Sequence, residues 1–507
     1  MKLKNKILFS VAALIGSLIV MNFVYSITTA EQDKIDNSPI YSVVQTGLKK
    51  NPEIIYLGES SNITYRDNDL DKRPISGILK DFYPDLEIGN LTKEASHARV
   101  YYYMLKQIPE KNSVKTVIVT LNFRSFDADW INSKLENAIS KGLVMVSDGP
   151  VLYNRFRLGF KAFEHKTDRE RNRKIKSIWK KDILEIPANL PYKTTAQWDS
   201  TMAYTGIKNP DGSLNEKATQ LACNFIKNFA FLIDTTSNPR IRDFDNIVEL
   251  ARKRGWNLVF NLMAENVELA NTLVGKELTD LMLKNKELIK ARYEKKGVTI
   301  VDNFTIVADK EFIDRDWPTE HYAETGRKQI AKNVALAIKK FHSKSFQEKD
   351  ENSLAFSFKN DCEGEVIWAQ MQTLSEDKAY SGDKSSKVAK ENPYSVGLEY
   401  PVNQLADSIA TLQFNAMIFR NTGNKNAKLV IDLIPQNEAL QRIWIGVSLE
   451  ELKITPGSWT KLSYPFNLPA NYKEYHLIKA FILNEETTPV YVDDIFIDLI
   501  PISKAAK

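Results

Sequence analysis

Cysteine is nearly absent from this 507-residue chain: Cys223 and Cys362 are the only two. Such a pair, far apart in sequence, offers neither a disulfide framework nor the clustered spacing of a structural metal site. The expectation is two unpaired buried thiols, no metal and no cofactor. Histidine is almost as scarce, with five residues: His97, His165, His321, His342 and His476. Any chemistry that needs an imidazole therefore has few places to go. Charge of one sign is not in marked excess either. The formal net charge of +5 is mild for this length and does not suggest nucleic acid, which usually needs a concentrated basic face. Internal repeats and low-complexity tracts are missing. What remains is a composition of 43% hydrophobic and 26% charged residues, ordinary for a globular protein. Its length calls for two or three domains.

One long hydrophobic run is present. Lys2, Lys4 and Lys6 precede an uncharged apolar stretch from Ile7 to about Ile27. About 20 such residues suffice to cross a bilayer, and the lysines should stay in the cytoplasm. An anchor over residues 1–30 is the preferred reading. A signal peptide cut near Thr28-Thr29-Ala30 is the other. Both export the body of the protein, placing it in the periplasm or outside the cell.

Beyond the anchor, short apolar runs at Glu53–Leu57, Leu86–Leu91, Lys115–Leu121, Asn257–Met263 and Val298–Val301 alternate with helical stretches such as Ala98–Gln107, Asp243–Arg254 and Leu278–Lys295. This alternation predicts an α/β domain over residues 40–342, a parallel sheet with helices on both faces. A long basic insertion interrupts it at about 143–236, with aromatics among the arginines and lysines (Tyr153, Phe156, Phe160, Phe163, Trp179). It reads as a solvated helical insertion, or else as a surface for anionic polymer, lipid head groups or a membrane partner. A polar linker is expected at 343–353. From 354 to 501 the pattern becomes short alternating β segments: Ala355–Phe358, Ile409–Phe419, Lys428–Leu433, Trp459–Tyr464, Leu477–Leu483 and Val490–Leu499. Those predict an all-β jelly-roll sandwich.

Three positions can carry chemistry together. The first predicted strand runs out into Gly58-Glu59-Ser60-Ser61-Asn62, which presents Ser60 at the carboxyl end of a parallel strand, where its N–H can also face a developing oxyanion. The strand Lys115–Leu121 ends at Asn122, whose amide can aim at the same oxyanion. By elimination, and by its place before an amphipathic helix, His321 in Asp314-Arg-Asp316-Trp-Pro-Thr-Glu-His321 is the candidate base.

Ser60, Asn122 and His321, in this order and at these strand ends, resemble the SGNH (GDSL-like) hydrolase superfamily. The first block reads Gly58-Glu-Ser60-Ser-Asn, with Glu where Asp is usual. The third keeps only Asn122 of its Gly-x-Asn-Asp pattern. In the last block Pro318 occupies the position three before His321, so the family's acid is out of register. Asp316 is the first choice for the orienting acid, Asp314 and Glu320 are alternatives, and a Ser–His dyad remains. The second-block donor falls on Gly89 or Ala95. Within the superfamily the arrangement looks like the alginate O-acetyltransferases and the teichoic-acid D-alanyl transfer proteins.

That resemblance implies a flavodoxin-like sheet and acyl transfer through Ser60, with His321 as base, Asp316 as its acid, and the Ser60 N–H and Asn122 as oxyanion donors. It further implies a carbohydrate polymer as substrate and partner, and a multi-pass membrane acyltransferase as a second partner. Water as acceptor gives an esterase, and a sugar hydroxyl an O-acetyltransferase. Segments around Tyr380–Val388, Gly457–Lys461 and Val490–Asp498 look like parts of carbohydrate-binding modules. The alternative from another class is a catalytically degenerate scaffold that binds polysaccharide or organises an export complex.

Overall fold

The computed structural model describes residues 3–501 apart from 68, 70, 165, 349–356, 365, 403, 404, 406–408, 438 and 439. His165, residues 349–353 of the expected linker, and the start of the expected strand Ala355–Phe358 thus lie outside the described residues. The chain divides into two compact units. One comprises residues 1–66 and 74–347, the other 67–73 and 348–507.

The first unit is built on five parallel strands: β1 (Ile54–Gly58), β2 (Ile88–Thr92), β3 (Thr116–Leu121), β4 (Asn257–Leu262) and β5 (Thr299–Asp302). Their order is β2-β1-β3-β4-β5, and every neighbouring pair is parallel. β1 and β3 are buried at every residue, the mark of strands covered on both faces. Ile55, Leu57, Val117 and Val119 join a core with Tyr101 and Met104 of helix Ala98–Lys106 and Phe244 and Ile247 of helix Pro239–Arg254. The alternate residues Ile54, Tyr56 and Ile118 are equally buried, as are Ile330, Val334 and Ile338 of helix Glu324–Ile338. The strand order reverses between β1 and β3. In such sheets the crevice at the carboxyl ends of those two strands is where ligands bind.

A helix Leu3–Thr28 precedes this sheet. It is the one stretch among the described residues long and apolar enough to cross a membrane, over Lys4–Thr28. Its apolar side chains from Ile7 to Ile27 are largely exposed, and at 1.5 Å per residue it would span about 39 Å. The expected insertion is helical, including Val151–Gly159, Asp168–Trp179, Thr195–Thr205 and Glu216–Phe229.

The second unit is antiparallel. Its strands are β6 (Ser357–Asn360), β7 (Leu374–Ser375), β8 (Ser385–Val388), β9 (Leu398–Pro401), β10 (Ile409–Arg420), β11 (Lys428–Pro435), β12 (Ile443–Ser448), β13 (Trp459–Asn467), β14 (Tyr475–Leu483) and β15 (Val490–Pro501). One sheet runs β13-β10-β15-β8-β7, with β6 beside β15, and the other β12-β11-β14-β9. Leu412, Phe414 and Ile418 of β10 meet Leu429, Ile431 and Leu433 of β11 in one core, the sandwich arrangement. Cys223 and Cys362 are both buried and free, one in each unit.

Candidate functional site

Ser60 leaves β1 at the N-terminus of a single helical turn, Ser60–Ile63. The turn is held from below by Asn62, which is fully buried. Its amide nitrogen reaches Thr92 Oγ1 (2.6 Å), Asn90 Oδ1 (3.1 Å) and Ser76 Oγ (3.1 Å), and its Oδ1 accepts from the Ser76 N–H (2.9 Å). Those contacts explain Gly58. A Cβ there would lie 2.8 Å from both Asn62 Cβ and Thr92 Oγ1, so only glycine lets Asn62 sit this close to β1. The spacing Gly58-x-Ser60-x-Asn62 is therefore one device.

His321 comes from the segment between β5 and helix Glu324–Ile338. That segment is a hairpin. Phe312 pairs with Tyr322 in an antiparallel bridge, the Ile313 N–H donates to His321 O (2.9 Å), and the Ala323 N–H to Glu311 O (2.8 Å). His321 Nε2 lies 2.8 Å from Ser60 Oγ. Its Nδ1 lies 2.7 Å from Asp314 Oδ2.

The acid beside His321 is thus Asp314, not the expected Asp316. The reason is the hairpin. Its two limbs bring residue 314 back beside residue 321, whereas Asp316 stands near the tip, next to half-exposed Trp317. The contact given for Asp316 is by its backbone carbonyl, to Asn224 Nδ2 at 3.5 Å. Thr319 Oγ1 also donates to the Asp314 carboxylate, fixing it from a second side. Pro318 removes the acid from the familiar register, and the hairpin restores one from further upstream. Glu320 points away from the ring, as adjacency suggests.

Glu320 instead enters a fully buried cluster. It pairs with the Arg124 guanidinium, which lies 4.7 Å from the Trp130 ring centre. Glu265 is buried too and accepts the Phe123 N–H (3.2 Å). Burial pushes the Glu265 carboxyl well above the usual carboxylate range, helped by the charge of Glu320 and opposed by Arg124. Burial likewise raises Glu320 against the pull of Arg124. The pair ties the loop after β3 to the residue next to His321.

Two further arginines act as clamps. Arg327, fully buried, donates to Thr64 O (3.2 Å) and Tyr322 O (2.9 Å). Arg66 donates to the carbonyls of Lys310 and Phe312. Both link the end of the turn that carries Ser60 to the hairpin. Sequence reasoning missed Arg66, Arg124 and Arg327, because a lone arginine in a polar loop or amphipathic helix reads as a solvated charge.

Three hydrogen-bond donors, the expected oxyanion groups among them, stand at neighbouring strand ends. The Ser60 N–H opens a helical turn and has no partner within the helix. Asn122 uses its carbonyl oxygen to accept the Ser125 N–H (3.2 Å), which leaves its NH2 as the outward group. Ala95 follows β2 in a turn closed by the Ser96 N–H on Lys93 O (3.2 Å), and has φ 57°. That left-handed conformation costs alanine about 1–2 kcal/mol, and such strain gathers where a backbone group is being aimed. Gly89 lies inside β2, paired with Ile55, so of the two second-block candidates only Ala95 stands beyond the strand end.

Ser60 Oγ is also 2.8 Å from Glu59 Oε2. A hydroxyl carries one proton, so Glu59 and His321 compete for it. Transfer to His321 requires the proton to face the ring.

The second unit carries a separate polar cleft on the outer face of its four-stranded sheet, about 210 Å³ in volume, lined in part by Tyr394, Glu399, Asp432, Arg442, Lys479 and Phe481. Arg442 holds the buried Asp432 through Nε (2.8 Å) and Nη2 (2.5 Å), and Lys479 pairs with Glu399 (2.8 Å). Tyr394 and, on β12 opposite Asp432, Trp444 are each nearly half-exposed.

No family model matches the chain, and no curated protein matches it. Among solved structures, the chain is similar to the N-terminal CBM22-1–GH10 modules of Clostridium thermocellum endo-1,4-beta-D-xylanase 10B complexed with xylohexaose. Identity there is 19% over 26% of this chain and 24% of that one, with a TM-score of 0.20; the chain thus spans about a quarter of that structure's length. The C-terminal family 22 carbohydrate-binding module of the same xylanase is 14% identical over 30% of this chain and 96% of its own, with a TM-score of 0.23. A CBM22-2 xylan-binding domain from Paenibacillus barcinonensis is 14% identical over 25% and 84%, with a TM-score of 0.20. At these values the matches carry no functional argument.

Two outcomes follow from the geometry. Where Ser60 acts as a nucleophile with His321 as its base, Asp314→Asn should lower kcat on a small acetyl ester by up to about 10⁴, as for loss of a triad acid, while Asp316→Asn leaves it near the wild-type value. Arg124→Ala strands Glu320 as a buried charge and should cost about 3–5 kcal/mol in urea unfolding. A loss below 1 kcal/mol would show that the pair is not the tie described here.

Proposed function

We propose that this chain is an exported serine acyl-esterase or O-acyltransferase that acts on a polysaccharide through an acyl-Ser60 intermediate. One observation carries the reading. Ser60, His321 and Asp314 form a continuous hydrogen-bonded line, with distances of 2.8 and 2.7 Å, where the strand order reverses. This is the geometry of an activated nucleophile, its base, and the group that orients the base.

In the reaction, Ser60 Oγ attacks the acyl carbonyl carbon as its proton passes to His321 Nε2. Asp314 holds the Nδ1–H and stabilises the imidazolium. Negative charge builds on the carbonyl oxygen, where the N–H groups of Ser60 and Ala95 and the Asn122 amide can receive it. Collapse breaks the bond to the leaving oxygen, which takes the proton from His321. A second hydroxyl then gives its proton to His321 and attacks the acyl-serine; the bond to Ser60 Oγ breaks, and Oγ takes the proton back from His321. Water in this role makes an esterase, and a sugar hydroxyl makes a transferase.

The 2-1-3-4-5 strand order, the position of His321 before the closing helix and the free donors after β1, β2 and β3 all fit the SGNH resemblance. Exposed Trp444 and Tyr394 beside a cleft of paired charges support a carbohydrate polymer as ligand, since pyranose rings stack on aromatic faces. In the transferase reading, the apolar N-terminal helix would keep the site near a multi-pass membrane acyltransferase that supplies the acyl group. An acid lost from the familiar register favours a non-catalytic scaffold, and the His321–Asp314 hydrogen bond weighs against that alternative.

Ser60→Ala tests the reading. Hydrolysis of a small acetyl ester should fall by about 10⁶ in kcat with the circular dichroism spectrum unchanged. Retention of most of the activity would overturn the mechanism.

A further inference from the structure

The helical insertion contains a segment that the acyl-transfer chemistry does not use. Helix Val151–Gly159 packs beside the far end of the apolar helix Leu3–Thr28. The Leu152 N–H donates to Asn22 Oδ1 at 3.0 Å, inside the apolar helix itself. Arg155 Nε donates to Asp33 Oδ2 at 3.1 Å, and the Tyr25 hydroxyl donates to the same oxygen at 2.5 Å. Asn154 Nδ2 anchors the helix to Ser147 O (2.8 Å). One hydrogen bond, to Asn22, thus ties it directly to the apolar helix, and a second link runs through Asp33, which Arg155 and Tyr25 share.

The face it leaves outward is apolar. Tyr153 is 58% exposed, Phe156 45% and Phe160 81%. Positions 153, 156 and 160 follow the i, i+3, i+7 spacing of one helix face, and Phe156 and Phe160 stack on each other at 6.4 Å. Basic groups frame them. Arg157 lies 5.9 Å from the Tyr153 ring centre, and Lys161 is exposed just beyond. Across residues 151–181 the sequence carries eleven Lys and Arg against three Asp and Glu. Large exposed aromatics rimmed by cations are costly in water and suit a membrane interface.

Depth decides the matter. With Lys4 and Lys6 at the cytoplasmic side, a hydrocarbon core of about 20 residues begins near Ile7 and ends near Ser26. Asn22 then lies about 6 Å inside the outer boundary at 1.5 Å per residue. A helix bonded to it meets the bilayer at the depth, about 5–10 Å, at which interfacial helices lie.

We propose that Val151–Lys161 is a second membrane contact, lying in the outer leaflet beside the anchor, with Tyr153, Phe156 and Phe160 among the upper acyl chains and Arg157 and Lys161 on anionic head groups. The contact rests on the apolar helix remaining uncleaved, and it fixes how the unit carrying Ser60 faces the membrane. Aromatic side chains at this level and basic groups against anionic lipid are the two standard anchors of such a helix.

Spin labelling of the full chain in phosphatidylglycerol-containing nanodiscs tests it. Nitroxides would be placed singly at Phe156→Cys, Phe160→Cys, Phe9→Cys in the apolar helix, and Tyr204→Cys, a 92% exposed aqueous reference. The two native thiols are buried, and burial raises both their pKa values, so they stay unlabelled. Labels at 156 and 160 should collide with oxygen in several-fold preference to a water-soluble nickel chelate, as at 9 and opposite to 204. Labels at 156 and 160 that behave like 204, while 9 reports lipid, would overturn the proposal and leave the catalytic reading untouched. Shielding of both sites from both reagents would also overturn it, marking a protein contact instead. A water-exposed label at 9 would remove the anchor and the proposal together.

Discussion

The contact between Ser60 and His321 joins residues 261 positions apart, and much of the first unit's polar interior serves to hold it. A hydroxyl and an imidazole at 2.8 Å tolerate little drift, since small misplacements of reacting groups are expensive. Neither residue sits on a regular element that could hold it alone. Ser60 rides a single turn and His321 a hairpin limb. The turn is fixed by Asn62 against β2 and residue 76, and the hairpin by Arg66, Arg327 and the Arg124–Glu320 pair. These are buried or half-buried polar clamps, which rigidify when their partners are complete.

A second buried cluster backs the loop after β3. Arg240 donates to Ser125 O at 3.2 Å and to Glu136 at 2.6 Å, and Glu136 also accepts from Arg99. Burial raises Glu136, but the neighbouring His97, Arg240 and Arg99 outweigh it and hold the carboxyl down at about 2. The charge is therefore kept throughout the range in which the protein would work. It braces the loop after β3 that carries Asn122.

Much of this was legible in the residues. Buried parallel strands announce themselves as short apolar runs, and the five core strands fall within a residue or two of those runs. Ser60 and His321 were legible because strand ends in α/β sheets are where chemistry collects, and because histidine is scarce. Asp314 was only an alternative. Spacing along the chain favours nearby acids, and Trp317-Pro318 gives no sign that the loop doubles back as a hairpin. The arginine clamps were illegible for a related reason: nothing local distinguishes a buried, paired arginine from a solvated one. In the sandwich, the long strands β10, β11 and β15 were readable, β10 by its alternation and β11 by a short apolar run. β7 and β8 were not, since two to four residues are too few to show a period.

The central claim is that Ser60 is an activated nucleophile, and the most direct measurement is covalent. A fluorophosphonate probe added to the intact chain, followed by peptide mass spectrometry, reports which hydroxyl has been made reactive. A single adduct is expected, on Ser60, and it should disappear in His321→Ala. An unlabelled wild-type protein, or an adduct on the neighbouring Ser61 instead, would contradict it.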